Sequence, residues 1–332
     1  MQQLLVLSAA DVHALLSYSD CAEAMRHALA ALASGRAQQP LRTIIRPEGA
    51  AGLMALMPSY LTGESGVDAA YGLKAICITP ANPAAGLDTH QGVVLLSSAA
   101  TGEPVAVLNA SAVTEIRTAA VSVVATDLLA RPDADELAVI GTGVQARAHV
   151  LALDGARRLS RIRVAGRDAA RAKQFAASLT GLTDAAVTAC ASAQEAVAGA
   201  GIIVTVTSSA QPVLNRDWIA PGAHINAVGA CLPHQRELDT ATVAAAVLFA
   251  DRRDSLLTES GDYRLAAAEG AVTESQVRAE LGELLLGTAT GRASAEEITV
   301  FESLGLAIED LAAANRVYHL AAESGAGTRI DF

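Results

Sequence analysis

The chain has 332 residues, of which 52% are hydrophobic and 18% charged; that is enough for about two domains and too aliphatic for disorder. With 24 Lys+Arg against 35 Asp+Glu the formal net charge is −11, which argues against a nucleic-acid surface, since phosphate contacts need a basic face. No apolar run reaches the roughly 18–20 residues of a membrane span, and MQQLLVLSAADVH lacks the basic leader and apolar stretch of a secretory signal, so the expectation is a cytoplasmic protein with neither membrane nor nucleic acid as partner.

In chain order, the first elements are helical. Ser8 caps a helix carrying Val12, Leu15 and Leu16, and a second start at Ser19 and Asp20 leads into Met25, Leu29 and Leu32 on one face, stopped by Gly35. Across residues 41–108 the period changes. LRTIIRP, LMALMPSYL, YGLKAICIT, GVVLLSS and PVAVLNA are short β-type runs between Gly, Pro, Asn and Ser clusters, which predicts a mostly antiparallel sheet with a hairpin turn in SSAATGEP. A helix over Ser111–Ala130 ends at Arg131-Pro132. Strands are then predicted at Leu137–Ile140, Ile162–Ala165, Ala186–Ala189, Ile202–Thr207, His224–Val228 and Val247–Asp251, with helices near 145–154, 168–179, 192–199 and 239–245. Near-continuous apolar strands joined by helices predict an α/β class, a doubly wound parallel (Rossmann) sheet beside an α+β part. The segment ITVFESLGLAIEDLAAANRVYHLAA reads as a closing helix with Ile308, Leu311, Ala314 and Tyr318 on one stripe, and GAGTRIDF as a loose tail. The four cysteines, Cys21, Cys77, Cys190 and Cys231, show no metal-ligand spacing, so no metal is expected.

The sharpest local motif is Gly141-Thr142-Gly143-Val144-Gln145-Ala146, directly after the first parallel strand. Gly141 permits a tight turn, Gly143 lets the backbone approach a pyrophosphate, and Ala146 allows close helix–strand packing. The helix start that follows offers amides and a positive dipole end to that anion. The next strand ends in Arg167, with Asp168 one residue later. A strand-end guanidinium suits a ribose 2′-phosphate, which favours NADP(H) over NAD(H); in the alternative Arg167 is solvated and Asp168 takes the ribose.

These residues, with Met57-Pro58, Lys74, Asn82, Thr89-His90, Glu115-Ile116-Arg117-Thr118-Ala119-Ala120, Asn226-Ala227-Val228-Gly229, Arg236-Glu237-Leu238-Asp239, Glu259-Ser260-Gly261-Asp262 and Thr299-Val300-Phe301-Glu302-Ser303-Leu304-Gly305, resemble the ornithine cyclodeaminase/μ-crystallin family over essentially the whole chain. The resemblance implies a substrate-binding and dimerisation domain from residues 1–117 with 305–332, an inserted NAD(P)-binding domain over 118–304, and a homodimer. It also implies that Arg42, Lys74 and Arg117 line the substrate pocket, where Arg gives a carboxylate a bidentate clamp. Thr89, Arg117, Thr207, Val228, Gln235 and Ser303 would approach the cofactor, and Leu304 the substrate. Read without the resemblance, Lys74 is a strand-edge lysine snorkelling to water, and His90 and His234 are structural or surface residues.

Two departures narrow the reaction. The cyclodeaminases of the family carry an acidic residue where this chain has Ala55, and a catalytic aspartate where it has Cys231. Without those carboxylates no group is left to handle a second amine and expel ammonia. The expectation is therefore NADPH-dependent reduction of a small cyclic 2-imino acid, with Lys74 as proton donor and Cys231 as a second candidate or a pocket-lining residue. The alternatives are an amino-acid dehydrogenase or cyclodeaminase-type enzyme of the same family, a redox-neutral lyase, or a non-catalytic NADP-binding sensor.

Overall fold

The computed structural model describes residues 3–63 and 69–332, and the chain divides into two units, Met1–Arg117 with Leu306–Phe332, and Thr118–Gly305. In the first unit, β1 (Gln3–Leu7) leads into α1 (Ala9–Leu15) through a capping box. The Ser8 hydroxyl accepts from the Asp11 amide, and the Asp11 carboxylate accepts from the Ser8 amide. The next helix, α2 (Tyr18–Ala33), begins earlier than its sequence suggests, because Ser17 and not Ser19 is the cap, accepting from the Asp20 amide.

The strands that follow are β2 (Ala37–Gln38), β3 (Thr43–Ile45), β4 (Leu53–Leu61), β5 (Ala70–Ile78), β6 (His90–Ser98) and β7 (Pro104–Asn109). Helix α3 (Ala110–Leu129) leaves this unit. After the second unit the chain returns as α11 (Ala307–Ser324) and β16 (Thr328–Asp331). The sheet order is β16-β1-β7-β6-β5-β4-β2, with β3 also on β4, and only β1·β7 is a parallel pair. The tail is therefore not loose: Thr328–Asp331 pairs antiparallel with β1. Neither strand has an apolar alternation long enough to announce itself, and each exists through its partner.

Burial alternates along β4 and β5 as the pleat requires. On the inner face Ser59 donates to the Ala307 carbonyl, and a Cβ on Gly72 would stand 2.9 Å from Leu311 Cδ1, so β4 and β5 lie under α11 on this face. The outer face presents Met54, Tyr71 and Val93, all exposed.

The second unit carries β8 (Glu136–Ile140), α4 (Val144–Arg157), β9 (Arg161–Ala165), α5 (Ala169–Ser178), β10 (Ala186–Ala189), α6 (Ala193–Val197), β11 (Ile202–Thr205), β12 (His224–Ala227), α7 (Thr240–Ala245), β13 (Val247–Ala250), α8 (Arg253–Glu259), α9 (Gly261–Ala268), β14 (Val277–Glu280), α10 (Leu281–Leu285) and β15 (Thr299–Glu302). Its sheet runs β10-β9-β8-β11-β12-β15-β13-β14 and is parallel throughout. Eight strands replace the six expected. The main error is β15, which sits between β12 and β13 although its sequence was assigned to the closing helix. A four-residue run buried on both faces has no periodicity to separate strand from helix, and the break lies at Gly305, whose φ is +77°. The direction of winding reverses beside β8, so the loop after β8 lies at the switch point where ligands bind in such sheets. No helix among the described residues is long and apolar enough to cross a membrane.

Candidate functional site

In the second unit β8 is followed by Gly141, whose φ of +138° disfavours any side chain and where a Cβ would stand 2.7 Å from the Val206 carbonyl oxygen. Gly143 is the N-cap of α4 and supplies no side-chain cap. A Cβ there would meet nothing within 4 Å and the next residue, Val144, is exposed, so the start of this 14-residue helix is open. Ala146 is fully buried and lets α4 approach β8, while Thr142 and Gln145 are half-buried and Val144 is exposed. The Gln145 carbonyl accepts from His149 Nδ1 at 2.7 Å, and Ser122 Oγ lies 2.9 Å from His149 Nε2. Burial pushes His149 down to about 4, so the ring is neutral and bridges α3 to α4. A glycine turn, an uncapped helix start and a positive dipole end together fit a pyrophosphate.

Two residues beyond β9, Arg167 is exposed. Asp168 is the N-cap of α5, its Oδ1 accepting from the amides of Ala170 at 2.8 Å and Arg171 at 3.1 Å. That oxygen is already engaged, which weighs against Asp168 as the ribose ligand.

Thr207, Val228 and Ser303 follow the ends of β11, β12 and β15. Buried carboxylates hold the backbone of these loops. Glu237 Oε1 accepts from the Thr207 amide at 2.5 Å and Oε2 from the Gly229 amide at 2.7 Å. Asp262 Oδ1 accepts in turn from the amides of Glu237 and Leu238, both at 2.8 Å. Asp251 accepts from the Leu304 amide at 2.8 Å and the Gly305 amide at 2.7 Å, fixing the turn that carries Ser303 and Leu304, both buried. Burial pushes Glu237 up, and burial with the charge of Glu237 pushes Asp262 up to about 7. Burial and then the Asp262 charge raise Glu302 well above the usual carboxylate range. Cys231 is half-buried, its Sγ 4.0 Å from Gln235 Oε1. The sequence motifs contained Glu237, Asp262 and Glu302, but nothing in their spacing revealed these roles.

The first unit gathers the predicted cations. Lys74 is not a strand-edge residue: β5 lies between β4 and β6, and the side chain is only 3% exposed. Its Nζ stands 2.6 Å from Asp310 Oδ2. The other oxygen, Oδ1, accepts from Arg117 Nε at 3.0 Å, and Arg117 Nη1 donates to Glu309 Oε2 at 2.9 Å. Glu309 Oε2 also accepts from the Leu306 amide at 3.1 Å. All four side chains are buried, forming a chain Lys74–Asp310–Arg117–Glu309. Burial pushes Lys74 down to about 8, against the charge of Asp310 and assisted by Arg117 and Arg42. At Asp310 burial works upward, but Lys74 and Arg117 outweigh it and hold the carboxyl low. Glu309 is raised, chiefly by burial.

Arg42 is half-buried just before β3. Thr89 is half-buried, its carbonyl accepting from the Thr79 amide at 2.9 Å. His90 is exposed as a residue, yet the protein around its ring and the charges of Lys74 and Arg117 push the imidazole down to about 4; the two cations are the cause that its exposure leaves standing. Sequence reasoning missed Glu309 and Asp310, although two adjacent acids inside an otherwise apolar helix were a signal of buried charge.

The model of the ornithine cyclodeaminase/mu-crystallin family matches residues 2–325. The ketimine reductase mu-crystallin of Mus musculus is 39% identical over 284 residues, 86% of this chain and 85% of that protein. Among solved structures, the Δ(1)-pyrroline-2-carboxylate reductase of Thermococcus litoralis, in complex with NADH and L-proline, superimposes with a TM-score of 0.94 at 36% identity, covering 98% of this chain and 100% of that one. An archaeal alanine dehydrogenase dimer with bound NAD gives a TM-score of 0.93 at 31% identity, with both chains covered to 100%.

Proposed function

Starting from a chain that belongs to the ornithine cyclodeaminase/mu-crystallin family and is an oxidoreductase acting on C=N bonds, we propose that it reduces a small cyclic 2-imino acid, such as Δ1-pyrroline-2-carboxylate or Δ1-piperideine-2-carboxylate, to the cyclic amino acid. The observation that carries this reading is Lys74: a buried ammonium with its proton held near neutrality, in the unit that also holds Arg42 and Arg117. Ala55 and Cys231 stand where a cyclodeaminase would need carboxylates.

Arg42 and Arg117 hold the substrate carboxylate, Arg117 being already fixed in place by Glu309 and Asp310. Lys74 gives its proton to the imine nitrogen, and an acid whose pKa lies near the working pH is matched to that task. The nicotinamide dinucleotide, when bound, supplies the hydride. Gly141–Ala146 and the α4 start would hold its pyrophosphate and Arg167 its 2′-phosphate, with Thr207, Val228, Gln235 and Ser303 of the same unit also at the dinucleotide. Arg167 and the engaged Asp168 support NADPH, although the Thermococcus relative was crystallised with NADH. A homodimer through the first unit is supported by the exposed apolar residues on its outer sheet face and by the dimeric alanine dehydrogenase; light scattering should give twice the chain mass.

The second reading, oxidative deamination of an open-chain amino acid, is favoured by the likeness to alanine dehydrogenase. Initial rates with the preformed cyclic imine, set against pyruvate plus ammonia and run with NADPH and NADH in parallel, separate the two. Turnover of the imine with NADPH is the expected result. Oxidation of cofactor only with the open-chain 2-oxo acid would sink the first reading.

A further inference from the structure

The buried carboxylate of Asp310 touches two of the three cations of the proposed substrate site, Lys74 and Arg117. One oxygen stands 2.6 Å from Lys74 Nζ and the other accepts from Arg117 Nε at 3.0 Å. Asp310 sits on α11, Lys74 on β5 and Arg117 on α3, so a single side chain joins three elements. An ammonium buried to this extent is unfavourable unless paired. Once paired, its position is set by its partner and not by the four-carbon stem. Glu309, the neighbouring residue, meets Arg117 but makes no contact of this kind with Lys74. The two acids therefore divide the labour: one reaches donor and clamp together, the other the clamp alone.

We propose that Asp310 is a positioning residue for imine reduction, fixing the Lys74 proton donor relative to the Arg117 carboxylate clamp and keeping that donor charged in its buried setting. This rests on the reading of Lys74 as the proton donor. The charged and titratable groups around Lys74 are Asp310 and Glu309 on α11, Arg117 on α3, Arg42 before β3 and His90 at the start of β6. Arg42 and Arg117 oppose a charged lysine, and His90 is neutral above the acid range. Asp310 is the group that supports the charge at contact distance.

The test is the pH profile of kcat and kcat/KM for a cyclic 2-imino acid with saturating cofactor, in wild type, D310N, D310E, E309Q and K74M. An opposite charge at this range moves a pKa by about one to three pH units. D310N should therefore shift the alkaline limb down by about one pH unit or more and lower kcat at neutral pH by about tenfold or more. D310E, which restores the charge in a displaced position, should recover part of both. E309Q, which removes a charge not in contact with Lys74, should move the limb less than D310N does and act mainly through KM. Thermal melts and cofactor-fluorescence titrations establish that each variant is folded and binds dinucleotide. If D310N does not fold, D310E carries the test, and an unmoved limb with wild-type kcat in D310E overturns the proposal. So does an unmoved limb in folded D310N. Retention of the limb and of imine turnover in K74M overturns instead the assignment of Lys74 as donor, whatever Asp310 does.

Discussion

Lys74 shows how a single residue changes meaning with its surroundings. In YGLKAICIT it is a lysine in an apolar strand, and periodicity alone assigns it to an edge. On an interior strand, against Asp310, it becomes an acid of pKa about 8. The proposed reduction needs that acid protonated, so its rate should fall as pH rises through about 8 and level off below. K74M should lose about 10²–10⁴ of kcat/KM for the cyclic imine while still binding dinucleotide, which stopped-flow rates and cofactor titration measure separately. At the other residue of consequence, R167A should raise KM for NADPH by about 10–100-fold, the worth of a hydrogen bond to a charged group, and leave KM for NADH nearly unchanged. Equal losses with both cofactors would remove Arg167 from the 2′-phosphate. The sequence suggested both residues, one by resemblance and one by its place after a strand. It did not suggest Asp310, because a buried counter-ion is defined by what it meets across the fold and not by its neighbours in the chain.

At the level of elements, legibility followed the regularity of the apolar pattern and the breaks that bound it. The Gly141–Ala146 turn, the β4–β7 meander and the first six parallel strands were readable, since each combines apolar runs with glycine, proline or asparagine breaks. Strands β14, β15 and β16 were not. Length is not the reason, since β10–β13 are also four residues long: β14 is half charged, β15 runs towards α11 with no break before Gly305, and β16 is mostly polar and exposed, paired only because β1 lies beside it. The buried acids behind the β11, β12 and β15 loops have a consequence of their own for stability. Asp262, raised to about 7 chiefly by burial, favours the native state while protonated. Its contribution is full below the unfolded value of about 3.9 and is lost as pH rises through about 7. D262N keeps the Oδ1 acceptor for the Glu237 and Leu238 amides and removes the charge. Its melting temperature relative to wild type should therefore climb between pH 5 and pH 8. A deficit that stays constant across that range would show that the charge at this position is not what titrates.

For the whole molecule, a net charge of −11 accompanies a proposed pair of anionic ligands, a dinucleotide and a carboxylate. Attraction must then come from a few placed cations and helix-start amides rather than from the overall field, and steady-state KM values should depend only weakly on salt. The division into two units sets a further constraint. Arg117 and Asp310 are 193 positions apart, and everything between them belongs to the inserted unit, Thr118–Gly305, apart from the first residues of α11. As a nascent chain leaves the ribosome, Lys74 and Arg117 emerge long before the acids that neutralise them. The first unit therefore waits half-made, its cations in water, while the insert has its whole sequence in hand and folds. Pulse-labelled amide exchange on ribosome-bound chains arrested before α11 should show protection in β8–β12 and little in β4–β6. The proposed donor and clamp would be assembled only once α11, made after the whole insert, supplies their acids.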